Sequence, residues 1–393
     1  MAHQFDYNQH LEVVLPLLRD LQQQLPLDKD KILRLQKKHN LPSGDMLSKT
    51  DIIAAYKGLA GTHGLDGFDI SVVRQLRMKP VRTASGVAPV TVLTKPYPCP
   101  GECIFCPLDV RMPKSYLAAE PGAQRAEHNF FDPYLQTYNR VETLHDMGHP
   151  VDKVELIVLG GTWSFYPKDY QRWFVKECLR AMNDFEHKQA DDRKSIRQQY
   201  YRFQQEISEM NLPALTDDRA KNEQIFKKYQ QQADQPEKDY NQLMTELFLK
   251  PEQEVGLTEL QSADWSDLEV QQQQNQSAQV RCVGLVLETR PDFVKPEEVV
   301  RLRRLGCTKV QIGLQSLDDQ VLAKNQRGHT AADSAQAMAL LRQAGFKIHA
   351  HWMPNLLGSN VEQDKQDYMQ LFADDRFKPD ELKIYPCSLL ESA

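Results

Sequence analysis

The sequence predicts an α/β protein whose core is an open (β/α)6 partial barrel of the TIM type, with an N-terminal helical arm and a polar helical insertion. Two observations predict this fold. From Thr91 onward, six short apolar runs alternate with segments of helical periodicity, as in βα units that build a parallel sheet. Cysteines, glycines or polar residues follow directly after these runs, where such barrels carry their functional groups.

The chain has 393 residues, of which 26% are charged and 41% are apolar, a composition typical of a soluble globular protein. No apolar run approaches the roughly 20 residues of a membrane span. The first ten residues, MAHQFDYNQH, lack the apolar region of a signal peptide. We therefore expect a cytoplasmic protein with no membrane partner.

Residues 1–27 have the periodicity of an amphipathic helix, which we expect Pro16 to kink or divide. A basic section follows: residues 28–98 hold twelve lysines and arginines against six acids, a net charge of +6 in a chain of −6. This asymmetry suits an RNA-binding arm, which we place at residues 1–81, on an acidic body. A solvated helix face explains the same pattern equally well.

The barrel is expected over residues 82–393. Its predicted strands are Val90–Leu93, Val154–Leu159, Val283–Leu287, Lys309–Leu314, Lys347–His351 and Leu382–Tyr385. Its main predicted helices are Pro133–Met147, one beginning near Pro167, Pro296–Leu305, Ala331–Ala344 and Gln363–Phe372. Residues 183–279 are rich in Gln, Asp, Glu and Lys, and predict an acidic, partly disordered insertion that projects from the barrel as a decoration of two or three surface helices.

The loop after the first strand carries Cys99, Cys103 and Cys106 in a C-x3-C-x2-C spacing. Three thiolates this close predict the ligands of a [4Fe–4S] cluster, one iron each, with the fourth iron open to chelation by S-adenosylmethionine (SAM). The spacing resembles the radical-SAM signature. A zinc site needs a fourth ligand, for which His128 is only a distant candidate, and seven cysteines do not suggest a disulfide framework.

Strand-end residues predict the SAM pocket. Gly160 and Gly161, followed by Thr162, allow the backbone to approach the methionine end of SAM, although an ordinary tight turn has the same sequence. Later strands end in Glu288, Gln315 and Ser316, whose polar groups are candidates to bind the ribose or carboxylate.

Residues 82–179 and 283–386 closely resemble the catalytic subunit of Elongator, a radical-SAM family that modifies tRNA. The matching strings are VRTASGVAPVTVLTKP, CIFCP, EPGAQRAEHNFFDPYLQTYNR, GHPVDKVELIVLGGT, ETRPD, VQIGLQS, NQRGHT and HWMPNL. GGT in place of the GGE of many radical-SAM enzymes is typical of this family. The narrow cysteine spacing points to its bacterial form.

The resemblance implies a tRNA uridine carboxymethyltransferase of the acyltransferase type, acting at C5 of the wobble uridine U34. It implies a [4Fe–4S] cluster, SAM and acetyl-CoA, with a 5′-deoxyadenosyl radical abstracting hydrogen from the acetyl group. It also implies tRNA as the substrate, and the positive charge of the N-terminal arm leads us to expect that this arm binds the tRNA. In the family, the lysine of the VDKVE string is associated with acetyl-CoA binding, and the resemblance therefore implies this role for Lys153. No catalytic side chain and no protein partner are assigned.

The family carries a C-terminal GNAT-like acetyltransferase domain, whereas this sequence ends at Ala393. We therefore expect this chain alone to cleave SAM without carboxymethylating U34. Three alternatives remain open: a radical-SAM enzyme acting on a small molecule, a non-catalytic tRNA-binding scaffold with a structural cluster, and a protein lysine acetyltransferase.

Overall fold

A computed structural model describes residues 5–107, 109–185, 190–209, 224, 227 and 240–388. The chain folds into two compact units. The first comprises the residues up to Pro89 together with Asn139–Val154, and the second comprises Val90–Tyr138 and the residues from Glu155 onward. The predicted division at residues 81 and 82 stays a prediction.

The first unit is helical. A short 3-10 turn, Tyr7–His10, precedes its helices α1 (Leu11–Gln23), α2 (Lys29–Lys38), α3 (Lys49–Leu59) and α4 (Ile70–Leu76). Side chains cap these helices: Asp28 accepts from the Lys31 backbone N–H, and Ser48 and Asp51 form a capping box. The buried apolar faces meet in one core, which includes Leu18, Ile53 and Val73.

The prediction that Pro16 divides the first helix is wrong. Helix α1 runs through Pro16 from Leu11 to Gln23. Pro16 is the sixth residue of this helix, beyond the first turn, so the helix loses the one backbone hydrogen bond that an N–H at this position would donate to the Glu12 carbonyl. The buried Val14, Leu17, Leu18 and Leu21 hold both sides of the proline against the core.

The second unit is organised around a six-stranded parallel half-barrel in the order β1-β2-β3-β4-β5-β6. The strands are β1 (Ala88–Leu93), β2 (Lys153–Leu159), β3 (Arg281–Thr289), β4 (Lys309–Gln315), β5 (Lys347–Trp352) and β6 (Glu381–Ile384). All six predicted strands are thus present, in chain order, and the prediction of an open (β/α)6 partial barrel is confirmed. Sequential parallel pairing places every C-terminal strand end on one edge.

Helices connect the strands. They are α5 (Pro121–His128), α6 (Pro133–Asp146), α7 (Lys168–Asp184), α8 (Ala190–Glu209), α9 (Tyr240–Met244), α10 (Lys250–Glu254), α11 (Leu257–Leu260), α12 (Trp265–Asn275), α13 (Pro296–Arg304), α14 (Asp319–Lys324), α15 (Ala331–Gln343) and α16 (Val361–Ala373), with a π-helical turn at Thr245–Leu249. The helices predicted from sequence agree with α6, α7, α13, α15 and α16. Among the residues with described structure, no helix is long and apolar enough to cross a membrane.

The prediction that the insertion only projects from the barrel is wrong for its second half. Tyr240, Leu243 and Leu247 are buried and form a cluster with Val110, which lies just beyond the cysteine loop. The prediction of partial disorder concerns residues 183–279 as a whole, of which 186–189 and 210–239, apart from 224 and 227, lie outside the described residues.

Candidate functional site: a cysteine-lined cavity at the strand ends

The cysteine loop follows β1 and opens onto a cavity of about 380 Å³. Cys99, Cys103 and Cys106 all line this cavity. The loop is tight, since the Cys106 N–H donates to the Cys103 carbonyl over 3.2 Å, and the Gly101 N–H points to the Cys99 sulfur at 3.5 Å. The fold therefore brings the three thiols predicted as cluster ligands to one cavity.

Five of the seven other predicted site residues line the same cavity. They are Gly160, Gly161, Thr162, Glu288 and Gln315, from the ends of β2, β3 and β4. Thr162 comes nearest the cysteines, with its Oγ1 4.0 Å from the Cys99 sulfur. Parallel pairing explains the convergence, because these positions are far apart in sequence but share the C-terminal edge of the sheet.

Two predicted site residues do not line the cavity. Ser316 is buried, and its hydroxyl bonds the Asp367 carboxylate at 3.0 Å. Lys153 is exposed at the first position of β2. His128, the distant candidate for a zinc ligand, is exposed at the end of α5 and is also not a lining residue.

The two glycines after β2 have different constraints. Gly160 has a φ of +139°, and a Cβ there would lie 1.9 Å from the Thr94 Oγ1, so only glycine fits between the first two strands. A Cβ on Gly161 would lie 3.2 Å from the Tyr166 hydroxyl, which would have to shift by a few tenths of an ångström although it is hydrogen-bonded to Thr94 and to the Lys95 carbonyl. Gly160 is thus required by the fold, whereas a side chain at Gly161 is accommodated only if Tyr166 shifts.

Two arginines that the sequence analysis did not single out lie against Cys103. The Nη1 atoms of Arg290 and Arg327 are 3.8 and 3.4 Å from its sulfur. Arg327 also donates to the Gly313 carbonyl at 2.9 Å, and Arg290 donates to the Arg327 carbonyl at 2.6 Å. Both arginines belong to strings that carry the family resemblance, ETRPD and NQRGHT, so the signal was present in the sequence.

These contacts set the protonation of the thiols. A hydrogen bond from Cys106, together with the nearby Arg327 and Arg290 charges, lowers the pKa of Cys103 to about 5. The same pairing and burial raise the pKa of Cys106. Cys103 is thus held as a thiolate at neutral pH, which is the form that binds metal.

Polar groups surround Glu288, which also lines the cavity. The Tyr116 hydroxyl lies 3.5 Å and the His351 Nδ1 3.6 Å from the Glu288 carboxylate. Burial raises the pKa of Glu288, and burial with the nearby Lys383 lowers the pKa of His351 to about 3. His351 is therefore neutral, and this wall offers uncharged as well as charged hydrogen-bonding groups to a polar ligand.

The donor set fits a cluster better than a single ion. Within the described ranges, no group of three or more His, Cys, Asp or Glu residues is arranged to hold one metal ion. A [4Fe–4S] cluster makes a different demand, because each cysteine binds a different iron and the sulfurs surround a cluster instead of one atom. Three thiols at the wall of one cavity, with two arginines beside one of them, meet this demand.

A fourth cysteine, Cys387, also lines the cavity. Its side chain packs with Phe105 of the cysteine loop against Met353 and neighbouring apolar residues. Burial raises its pKa, in contrast to Cys103. The sequence analysis did not identify it, because it lies 281 positions after Cys106 in sequence.

Comparison with known proteins gives the family. Residues 221–369 match the model of the radical SAM superfamily. The tRNA uridine(34) acetyltransferase of Methanocaldococcus infernus is 35% identical over 322 residues, which cover 80% of this chain and 46% of that protein. Elongator complex protein 3 of Schizosaccharomyces pombe is 29% identical over 365 residues, covering 90% of this chain and 51% of that protein.

A solved structure, the archaeal Methanocaldococcus infernus Elp3 with an N-terminal deletion, is 29% identical and covers 78% of this chain and 47% of its own, with a TM-score of 0.49. The chain spans about half the length of the curated relatives it matches. Membership of the radical SAM superfamily implies SAM and a [4Fe–4S] cluster. From these relatives and the half-barrel with its cysteine-lined cavity, we conclude that the chain belongs to the radical-SAM family of Elongator catalytic subunits and tRNA uridine(34) acetyltransferases.

Proposed function

We propose that this chain carries the radical-SAM step in modification of the wobble uridine U34 of tRNA at C5. The observation that supports this most is the cavity itself. It brings Cys99, Cys103 and Cys106 together with Gly161 and Gln315 at the C-terminal edge of the half-barrel. In folds of this type, that edge is where substrates and cofactors bind.

The three cysteines are the proposed ligands of the cluster, each holding one iron. When bound, the cluster supplies the electron that cleaves SAM to methionine and a 5′-deoxyadenosyl radical. Arg290 and Arg327 have the complementary task of stabilising negative charge, because they lie beside the Cys103 sulfur within the protein. Phe105 and Pro107 of the loop also line the cavity, where we expect them to limit access of water.

The proposed SAM site lies beside the cysteines. We propose that Gly160 to Thr162 present backbone to the methionine end and that Glu288 and Gln315 bind the ribose or carboxylate, since all of them line the cavity. Ser316 is proposed only as support, since its hydroxyl is already bonded to Asp367. We keep acetyl-CoA as the proposed co-substrate and the exposed Lys153 as its candidate contact, on the family resemblance.

The first unit contains a separate cavity suited to RNA phosphates. Its volume is about 610 Å³, and its lining includes Lys57, Arg74, Arg77 and His149. The Arg77 Nε donates to the Gly148 carbonyl at 2.8 Å, which fixes its guanidinium at the cavity. Burial and the Arg77 charge lower the pKa of His149, so it is neutral while the arginines and the lysine supply positive charge.

A structural cluster in a non-catalytic scaffold is the second candidate function, and Cys387 is the observation that favours it. A cluster with four cysteine ligands has no open iron for SAM. Cys387 is a fourth cavity-lining cysteine, although its raised pKa makes it a poorer ligand than Cys103. The two functions therefore differ in whether Cys387 binds iron.

We expect the anaerobically reconstituted chain to cleave SAM to 5′-deoxyadenosine when a low-potential reductant is supplied. The reason is that the proposed cluster and SAM sites both lie within the described second unit. Chromatography with mass spectrometry measures the product, and omission of the reductant is the control. A fully loaded cluster that yields no 5′-deoxyadenosine with SAM, tRNA and the reductant would contradict the proposed step.

Removal of the cysteine ligands should abolish cluster assembly. Wild type is expected to bind about four irons per chain, whereas a variant with Cys99, Cys103 and Cys106 all changed to alanine should bind almost none. Cys282→Ala, on β3 and outside the cavity lining, is the matched control.

The variant Cys387→Ala separates the two functions. If SAM binds an open iron, Cys387→Ala should have the same iron content as wild type and the same EPR response to SAM. Loss of iron in Cys387→Ala, with no response to SAM in wild type, would favour the structural cluster and exclude the open iron.

The basic cavity should bind tRNA through phosphates. The double variant Arg74→Ala, Arg82→Ala removes two exposed arginines of this region and leaves the hydrogen bond of Arg77 to Gly148 in place. We expect weaker tRNA binding. The slope of the logarithm of the binding constant against the logarithm of salt concentration should be shallower by roughly 0.7–0.9 for each phosphate that is no longer neutralised. Fluorescence anisotropy across salt concentrations measures this, with Lys365→Ala on α16 as control. Equal slopes in the double variant and wild type would mean that the basic section is surface decoration.

A further inference from the structure

The first half of the cysteine loop, residues 95–101, is contacted by the second half of the insertion. The contacts come from residues 240–261, here called the buttress, which begin more than 130 positions after the loop. Three separate groups of side chains make them. Each group holds a different point of the loop.

The first contact is a two-point clamp on Cys99. The Asn241 Nδ2 donates to the Cys99 carbonyl at 2.9 Å, and the Cys99 N–H donates to the Asn241 Oδ1 at 2.8 Å. One amide thus satisfies both backbone groups of a proposed cluster ligand. This pairing fixes the backbone from which the Cys99 thiol projects.

The second contact reaches Gly101 through Lys114. The Lys114 Nζ donates to the Gly101 carbonyl at 2.8 Å and lies 5.4 Å from the centre of the Tyr240 ring. Tyr240 is buried, and its hydroxyl donates to the Met112 carbonyl at 3.0 Å. The ring therefore holds the lysine in place by a cation–π contact and by packing.

The third contact holds Lys95, where the loop begins. Its buried ammonium is paired with Glu252 and donates to the Gln261 Oε1 at 2.5 Å. Lys95 and Glu252 are only 8% and 6% exposed, so neither charge can be satisfied by bulk water. Gln261 continues the network to the Tyr200 hydroxyl, which bonds Asp132. Removing one member of such a pair leaves an uncompensated buried charge.

The backbone of Lys95 connects this network to the proposed SAM site. Its carbonyl accepts from the Tyr166 hydroxyl at 2.8 Å, and the Thr94 hydroxyl bonds the same Tyr166 oxygen at 2.8 Å. Thr94 in turn packs against Gly160, where no side chain fits. The buttress therefore acts on the cysteine loop next to the glycine turn.

The other end of the loop is held differently. Cys103 is contacted by Arg290 and Arg327, which belong to the half-barrel itself. We propose that the buttress positions the Cys99 end of the cluster loop, with Asn241 and Glu252 as positioning residues. This inference rests on the proposed cluster function and extends it: a polar insertion sets the geometry of one iron ligand.

The first test removes the clamp on Cys99. Asn241→Ala should retain its far-UV circular dichroism but lose iron to a chelator about thirtyfold faster than wild type, the factor expected from the loss of two part-buried hydrogen bonds. The EPR change caused by SAM should also weaken, which a purely structural role would not require. Gln253→Ala, exposed on α10, is the matched control. Iron loss and SAM response identical to wild type in Asn241→Ala would overturn the proposal.

A double-mutant cycle on the buried pair Lys95 and Glu252 gives a second test that does not involve Asn241. Glu252→Ala should accelerate iron loss, because it strands the Lys95 ammonium. Adding Lys95→Met should reverse part of that effect, since the unpaired charge is gone. Strictly additive effects of the two substitutions would contradict the proposed linkage. A wild-type chain that assembles no cluster would refute the proposed function, whereas a stable cluster insensitive to all these variants would refute only the positioning role.

Discussion

The parallel pairing of six strands is the constraint on which the site depends. It brings the ends of β1, β2, β3 and β4 to one edge, although their sequence positions span more than 200 residues. Each strand end contributes one element of the cavity: the cysteine loop, the glycine turn, Glu288 and Gln315. The site is thus assembled by topology, and single motifs along the chain contain only parts of it.

Charge is the second requirement, because a thiolate inside a protein needs a compensating cation. Arg290 and Arg327 supply it at Cys103, and each is itself anchored, by Asp292 and by the Gly313 carbonyl. Lys95 and Glu252 show the same physical rule at the other end of the loop, where a buried cation is paired with a buried anion. Electrostatic pairing therefore fixes the loop at both ends.

Sequence periodicity predicted the strands well, because buried strands are short apolar runs bounded by glycine, proline or polar residues. The cysteine spacing and the glycine pair after the second strand predicted residues that the fold brings to one cavity. The pattern of apolar residues did not predict the role of the insertion. Asn241, Glu252 and Gln261 act through hydrogen bonds and charge, which such a pattern does not detect. Ser316 shows the converse: a strand-end position alone does not show that a side chain faces the cavity.

The proposed function requires SAM to chelate an open iron in the cysteine-lined cavity, beside Gly161. The most direct measurement is electron–nuclear double resonance on the reduced, reconstituted protein with SAM labelled by ¹⁵N in its amino group and ¹⁷O in its carboxylate. We predict hyperfine coupling of both labels to the cluster in wild type and in the control Gly67→Val, a glycine with open space around it. We predict its loss in Gly161→Val, because the added side chain would crowd Tyr166 and disturb the glycine turn that lines the cavity. A loaded wild-type cluster that shows no coupling to either label would contradict the account.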